Sequence, residues 1–528
     1  VSVSPKLADA WAPLHHQPFR ALWIAATVVN LSIWMENIAA AWMMTDLQPN
    51  SPFMVSLVQT SMALPAFLLG LPSGVLADLV NRKRLLISTQ IGSLGFSVIL
   101  VGFAWVGEID GWLLLGLTFA ISCTNAFAMA AWIASTIDCA PQGQVTAAIA
   151  LSTITPNIAR VVGPALAGFL IAVAGTTTLF ISVSAGFLLS LVLLKALPEA
   201  AIRPKLPPER MWNGMRSGLR YMQHSTDLRL ALRLVFVFVA TGSSIWALLP
   251  LVARVQLGFG ASGFGLLLGS LGVGAMLAGF QVTLLYRHLS ARQIIMGGGI
   301  GFAAITALIP VVSHPWIMCI LLIVGGMAWM AVNTTIGTVI QTSAAAWVRA
   351  RVASVYLLVV MGAMAAGGVI WGAIAQHFGI QEALWLSAIM IVLGLLLTGR
   401  INIKLGSETD FSVVKQYPFE PQTIIEDTSD GPVAVEIFYK VAAGNHSLFI
   451  AKSRQVGQSR RRNGALAWRL YRDLDTPDCF VERFLVDSWL DYLRHVERQT
   501  RIDKEGEEEL LSFATNPTLS TRRYIAVA

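Results

Sequence analysis

Along the first 400 residues, apolar positions gather into runs of about 20 or more, the length needed to cross a bilayer as a helix. They lie near 20–44, 53–77, 85–106, 111–136, 145–171, 175–196, 231–253, 262–286, 293–312, 316–342, 350–376 and 381–399. The longest polar break, roughly 197–230, falls between the sixth and seventh runs. The pattern predicts twelve transmembrane helices in two six-helix halves, 1–196 and 231–400, joined by a linker over 197–230. Beyond residue 400 the pattern changes. After a second linker, 401–431, Val433 to Val441 reads as a strand, and Asn445 is placed to cap a helix running to about Ser459. Leu466, Trp468 and Leu470 alternate as a strand, as do Phe480, Glu482, Phe484 and Val486. Trp489, Leu493 and Val496 make an apolar helical stripe, and Tyr524 to Val527 a last strand.

Composition agrees with a change of solvent at residue 400. The chain is 55% hydrophobic and only 13% charged, against about 25% charged in a soluble protein. Residues 401–528 hold 17 Lys/Arg and 19 Asp/Glu, the first 400 only 20 and 11. The expected class is therefore an all-α membrane protein with a water-soluble α+β domain at its C-terminus, over 432–528. A secreted disulfide scaffold, a nucleic-acid module and a single soluble enzyme are excluded as descriptions of the whole chain. Cys123, Cys139, Cys319 and Cys479 fall in no metal-ligand spacing and read as small buried hydrophobes; no cofactor is expected. The first apolar run is too long for the core of a signal peptide and is expected to remain as an anchor.

Basic residues set the orientation. If the runs alternate in direction, 18 of the 20 Lys/Arg of residues 1–400 share one side, among them Arg82, Lys83, Arg84, the cluster over 195–233, Arg349 and Arg351. Positive loops stay in the cytoplasm, so both termini and the tail are expected there, at a bacterial inner membrane. The net charge of +7 is then a topology signal and implies no nucleic-acid partner. In the central linker Met211, Trp212, Met215, Leu219 and Met222 share one helical face, opposite Asn213, Arg216, Arg220 and His224. Such a helix fits the membrane surface or a packing face of the protein itself.

Two motifs name a family. Gly74-Val75-Leu76-Ala77-Asp78-Leu79-Val80-Asn81-Arg82-Lys83-Arg84 resembles the signature loop of the major facilitator superfamily, with Leu79 and Asn81 departing from its pattern. The resemblance implies that this loop latches the two halves when the cavity faces outward; the eleventh run begins near Arg349 and Arg351, which makes its N-terminus the expected counterpart of Asp78. Gly74 is expected to permit close helix approach, and the basic run to anchor in lipid headgroups. In the fifth run Gly163-Pro164 with Gly168 resembles the Gly-Pro motif of exporting, antiporter-type branches, a kinked helix packed at the interface between halves. A narrower resemblance rests on Trp34-Met35-Glu36-Asn37, Arg160, the stretch Trp246 to Arg254, Trp347 to Arg351 and Arg460 to Ala465. It is to the bacterial transporters similar to the enterobactin exporter, the transmembrane secretion effectors, in forms with a C-terminal cytoplasmic extension. That implies proton-coupled export of a siderophore-like or drug-like small molecule; an importer or lipid-moving permease on the same scaffold is the alternative, and a membrane-tethered monooxygenase-like tail enzyme the third reading.

Charges inside the bilayer are expensive, about 2.5–3.5 kcal/mol each at its centre. Glu36 and Arg160 are the two that fall near mid-depth. They are expected to pair as the proton-coupling site, its proton affinity switching as the two approach and separate, to form a permanent structural ion pair, or to be satisfied separately by polar groups of neighbouring helices. The superfamily resemblance implies a substrate cavity lined by runs 1, 4, 7 and 10. These offer Asn30, Asn37, Asn125, Trp132, Ser244, Trp246, Trp329, Asn333 and Thr334, polar and aromatic groups suited to a polar, partly aromatic solute and equally to interhelical bonding.

The tail's β-α-β-β-α-β order looks like the ferredoxin-like fold of small monooxygenases, which implies self-association through the sheet. His446 and His495 are isolated and no nucleotide loop is present, so an interaction module rather than an enzyme is expected. The run Arg460–Arg462 reads as a phosphate or inner-leaflet contact or as a solvated turn.

Overall fold

The computed structural model describes residues 11–141, 143–195, 197, 220–345, 347–398, 431–515 and 520–526. Met211, Trp212, Met215 and Leu219 of the linker helix, and the linker 401–430, lie outside the described residues.

The apolar runs are helices because a backbone in hydrocarbon has no partner but itself. They are α1 (Gln17–Leu47), α2 (Pro52–Leu79), α3 (Arg82–Val106), α4 (Gly111–Cys139), α5 (Val145–Lys195), α6 (Thr226–Gly242) with α7 (Ser244–Leu251), α8 (Ala261–His288), α9 (Ala291–Leu308), α10 (Pro315–Thr342), α11 (Arg349–Phe378) and α12 (Ile380–Thr398). Their starts carry local signals: Ser51, Asn81 and Asp110 accept the N–H of Met54, Arg84 and Leu113, and Ser290 with Gln293 forms a capping box. After Pro250 the chain continues as a π-helical turn, Val252–Gln256.

Eleven segments among the described residues are long and apolar enough to cross a membrane. The difference from the expected twelve lies in α5, whose 51 residues would span about 77 Å at 1.5 Å per residue. That is more than twice the hydrocarbon thickness of about 30 Å. The run is broken at Gly175, where φ is 83° and ψ 167°, a backbone conformation open to glycine alone. Two helices meet there.

The chain divides into two compact units. The first comprises Val1–Leu206, Leu234–Ile336 and Leu357–Asn402; the second comprises Pro207–Arg233, Gly337–Tyr356 and Ile403–Ala528. The second unit therefore holds the tail together with the end of the central linker and the α10–α11 connection.

The tail contains β1 (Val433–Lys440), α13 (His446–Arg462), β2 (Ala467–Arg472), β3 (Cys479–Val486), α14 (Trp489–Glu497), α15 (Arg501–Ser512) and β4 (Ser520–Ile525). The sheet runs in the order β2-β3-β1-β4, every neighbour antiparallel, with Val435 opposite Phe484 and Arg523. Alternate strand positions, Val433, Val435, Ile437, Tyr439, Phe480, Phe484 and Val486, join Phe449 and Val456 of α13 and Leu510 of α15 in one apolar core. Asn445 ends a short 3-10 turn before α13 and makes no side-chain cap, contrary to expectation. The helix α15 is additional to the sequence pattern, and its boundary is set by a capping box between Thr500 and Asp503.

The arginine run at the end of α13 is neither a lipid contact nor a solvated turn. Arg460 is buried and reaches Glu482 at 3.2 Å and Glu507 at 2.5 Å, while Arg462 pairs with Asp503. Glu482 also accepts from Tyr439 Oη at 2.7 Å and Trp468 Nε1 at 2.9 Å. Burial alone would raise the Asp503 carboxyl. Arg462 and hydrogen bonds from Ser459, Asn463 and Thr500 outweigh that and hold it below the usual carboxylate range. Three consecutive arginines on a helix cannot all face water when the helix lies on a sheet; here acids of β3 and α15 neutralise two of them.

His495 of α14 is buried against Phe484, ring centroids 5.2 Å apart. Burial, and then the Arg460 charge, push its pKa down to about 3. An unfolded chain protonates histidine below about 6.5, so the unfolded state gains the proton first. Domain stability is expected to fall as pH drops below 7, by about 2 kcal/mol between pH 7.5 and 5. The slope should flatten in His495→Phe. Amide exchange of β1 and β3 across that range measures it, and an equal slope in the variant would assign the effect to another group.

Candidate transport site

Glu36 and Arg160 lie on packed neighbours, α1 and the first helix of α5, yet they form no ion pair within 4 Å. Glu36 is 1% exposed, and its Oε1 has no hydrogen-bond partner. The Arg160 guanidinium lies instead over the Trp34 ring, 5.8 Å from its centroid. Helix geometry explains the separation. Trp34 and Glu36 are two positions apart and so point about 200° away from each other on α1. Glu36 shares a face with Ser32, which packs against Gly186 in the second helix of α5. The permanent pair is thus corrected: in this structure the two charges are apart, Glu36 on the face of α1 that carries Ser32 and the Arg160 guanidinium over Trp34.

The glycines of the Gly-Pro segment lie in close contact with two neighbouring helices. A Cβ on Gly163 would lie 2.6 Å from Trp34 Cβ, so α5 is pressed onto α1. On the other side a Cβ on Gly168 would lie 2.9 Å from the Ala261 carbonyl and 3.1 Å from Gly265 Cα. Reciprocally, a Cβ on Gly265 would lie 2.5 Å from the Pro164 carbonyl, and one on Gly272 would lie 2.9 Å from the Arg160 carbonyl. Backbone meets backbone along this α5–α8 seam, which joins the two halves by close approach of small residues.

Further contacts between the halves run from mid-depth to the helix ends remote from the chain termini. Thr60 Oγ1 of α2 donates to the Ala365 carbonyl of α11 at 2.9 Å. Gln376 accepts from Ser51 Oγ and Phe53 N and donates to the Asn50 carbonyl. Arg254 pairs with Asp46, donates to Thr45 Oγ1 at 2.9 Å and lies over Trp42. At the opposite ends a Cβ on Gly74 or Gly279 would meet nothing within 4 Å. Gly74 therefore makes no close helix approach, which corrects that expectation.

The basic loop is bonded to two neighbouring helix ends. Arg82 pairs with Asp138 at the end of α4, 2.6 Å away. Lys83 Nζ donates to the carbonyls of Lys195, at 3.0 Å, and Leu197, the unpaired acceptors at the end of α5, where the helix dipole favours a cation. Arg84 opens α3 and Arg351 lies in the first turn of α11. The Asp78 side chain lies outside the described residues.

Of the residues offered for a cavity, Trp246 and Trp329 come together, ring centroids 4.4 Å apart, with Phe302 and Phe238 completing the cluster. Trp246 is half-buried and Trp329 buried. Ser244 is fully buried and bonds Ser387 at 2.7 Å, so it is interhelical bonding rather than cavity lining. Asn30 and Asn333 donate to carbonyls four residues back on their own helices. Asn37 and Asn125 are half-buried, and Trp132 packs beside the apolar cluster of Leu22, Ala128 and Ala131; Thr334 lies on α10. Sequence reasoning passed over Gln90 of α3, fully buried with neither amide atom bonded. An amide in the middle of an apolar run was the signal for it.

Long apolar helices joined by a glycine seam and carrying a buried acid make up a multi-span membrane protein. The family described as transmembrane secretion effector matches residues 8–528, and the chain belongs to that family of major facilitator transporters. It is 27% identical over 399 residues to the multidrug efflux pump Tap of Mycobacterium tuberculosis, covering 72% of this chain and 91% of that one. It is 29% identical over 201 residues to the MFS-type transporter YfiS of Bacillus subtilis, a match spanning 37% of this chain and 47% of the relative, just under half its length. Solved structures share the fold. The nucleoside transporter NupG matches with TM-score 0.60 and 12% identity over 72% of this chain and 98% of its own. A bacterial homolog to the human lysosomal transporter Spinster, inward-facing and occupied, matches with TM-score 0.57 and 17% identity over 74% and 96%. The chain is thus a multi-pass transporter of the major facilitator type, with multidrug efflux pumps among its relatives.

Proposed function

We propose that this protein exports an amphipathic, partly aromatic small molecule, drug-like or siderophore-like, in exchange for protons. The reading takes the two helices of α5 as separate crossings, giving twelve, with both termini and a ferredoxin-like tail in the cytoplasm. The observation that carries it is Glu36: a carboxylate buried within the first long apolar helix, with an oxygen left unbonded, is costly to keep unless it is used. Its neutralisation by a proton is the coupling event, and Arg160, stacked on Trp34, supports the seam instead of pairing with it. The closed contacts at Asp46–Arg254 and Asn50–Gln376 fit a cavity open to the cytoplasm, the state from which an exporter loads. The half-buried Trp246 supplies an aromatic face for the solute, and the efflux relatives favour the outward direction.

Everted membrane vesicles test this. On energisation they are expected to accumulate a fluorescent aromatic dye, and a protonophore should abolish the accumulation. Accumulation only in right-side-out vesicles would make the protein an importer and overturn the reading.

A further inference from the structure

The second compact unit contains a contact that transport chemistry does not require. Its tail presents Arg462, Gly464 and Arg498 to two segments that belong, by sequence, to the helical array: the end of the central linker and the α10–α11 connection. Arg498 lies over the Trp347 ring, 4.3 Å from its centroid, and Arg462 over the Tyr221 ring at 5.7 Å. The two rings meet edge to face at 5.5 Å. The Ala345 N–H donates to Tyr221 Oη at 3.3 Å, and Arg220 donates to the Gly464 carbonyl at 2.7 Å. Tyr221 is 1% exposed and Met222 is 2% exposed, so the described end of the linker helix packs on protein and not on a membrane surface.

We propose that the tail domain is an internal staple, whose docking face of Arg462, Gly464 and Arg498 ties the linker leading into α6 to the connection between α10 and α11. Three features argue for a specific contact. Two cations stack on two aromatic faces that also touch each other, an arrangement worth more when desolvated. Arg462 is fixed from behind by Asp503, itself held by Ser459, Asn463 and Thr500, so it is positioned before docking. The anchored segments lead directly into α6, α10 and α11, three helices of the C-terminal half. A domain holding both segments makes their ends move as one body when the halves rock. Arg498 and Trp347 are accordingly positioning residues: they set turnover and do not touch the solute.

The staple rests on the transport reading only for its effect on turnover, so the test has two arms on the full-length protein. In hydrogen exchange, Arg498→Ala or Trp347→Ala is expected to speed exchange of amides within 220–224 and 343–349 by about tenfold, the scale of a desolvated cation–π contact. The β1–β3 amides should keep their rates. In proteoliposomes the same variants are expected to lose about threefold or more of maximal velocity while half-saturation stays within about twofold, and Arg498→Lys should restore most of both. Unchanged exchange in the two segments would overturn the staple whether or not the protein transports. So would opening of the sheet together with the segments, or full velocity in variants whose segments exchange faster.

Discussion

Gly265→Ala is expected to cut transport at least tenfold and to lower thermal stability, although it adds a single methyl group. The new Cβ would lie 2.5 Å from the Pro164 carbonyl and 3.0 Å from Gly168 Cα. Both are backbone atoms, which cannot rotate away as a side-chain end can. The helices α5 and α8 must move apart, and overpacking of this kind costs about 1–3 kcal/mol. The seam also lies between the two halves, so the same methyl wedges the surface on which they rock. Gly269→Ala, one turn along α8, is the matched control: its Cβ would stand 3.8 Å from the Val161 carbonyl, ordinary contact, and activity should stay within about twofold. Thermal unfolding in detergent together with transport in proteoliposomes reads both. If Gly265→Ala transports like the parent, backbone contact along the seam is not what joins the halves.

The second large effect is at Glu36. Glu36→Gln keeps the shape and removes the titrating group. Uphill accumulation driven by a proton gradient is expected to fall at least tenfold, the equivalent of about 1.4 kcal/mol or more of lost driving interaction. Counterflow, in which labelled solute exchanges for unlabelled solute without a gradient, should persist. That split distinguishes coupling from folding, since a misfolded carrier loses both. Glu36→Asp, which retains a carboxyl one methylene shorter, should fall between. Gradient-driven uptake undiminished in Glu36→Gln would remove Glu36 from the mechanism.

The Gly265 expectation needed the structure, whereas the Glu36 one follows from the sequence, and the reasons differ. Gly163, Pro164 and Gly168 were legible as a packing motif because small residues and a proline in an apolar run have few other uses. Their partners Gly265 and Gly272 were hidden among the many glycines of α8 and α9. The charges showed the opposite case. Depth along a span can be counted from the sequence, which put Glu36 and Arg160 near the middle of neighbouring runs. Rotation about the helix axis does not follow from counting, and it set them on different faces. The tail was read almost element by element because strands alternate and helices repeat every 3.6 residues. The extra helix α15 escaped because its apolar positions are few and its sequence strongly acidic.

What the sequence determined by itself is the part that solvent dictates. Hydrophobicity summed over some 20 residues decides which segments enter lipid. Hydrophobic periodicity marks the tail's strands and helices. Each of these depends on a residue and its near neighbours in the chain. Tertiary structure alone decided which partners meet: Arg82 with Asp138, Lys83 with the end of α5, Arg460 and Arg462 buried among acids, and Arg498 over Trp347. Those contacts join residues far apart in the chain. A turn of 100° per residue carries a side chain from one neighbour to another, and no local sum records where it stops.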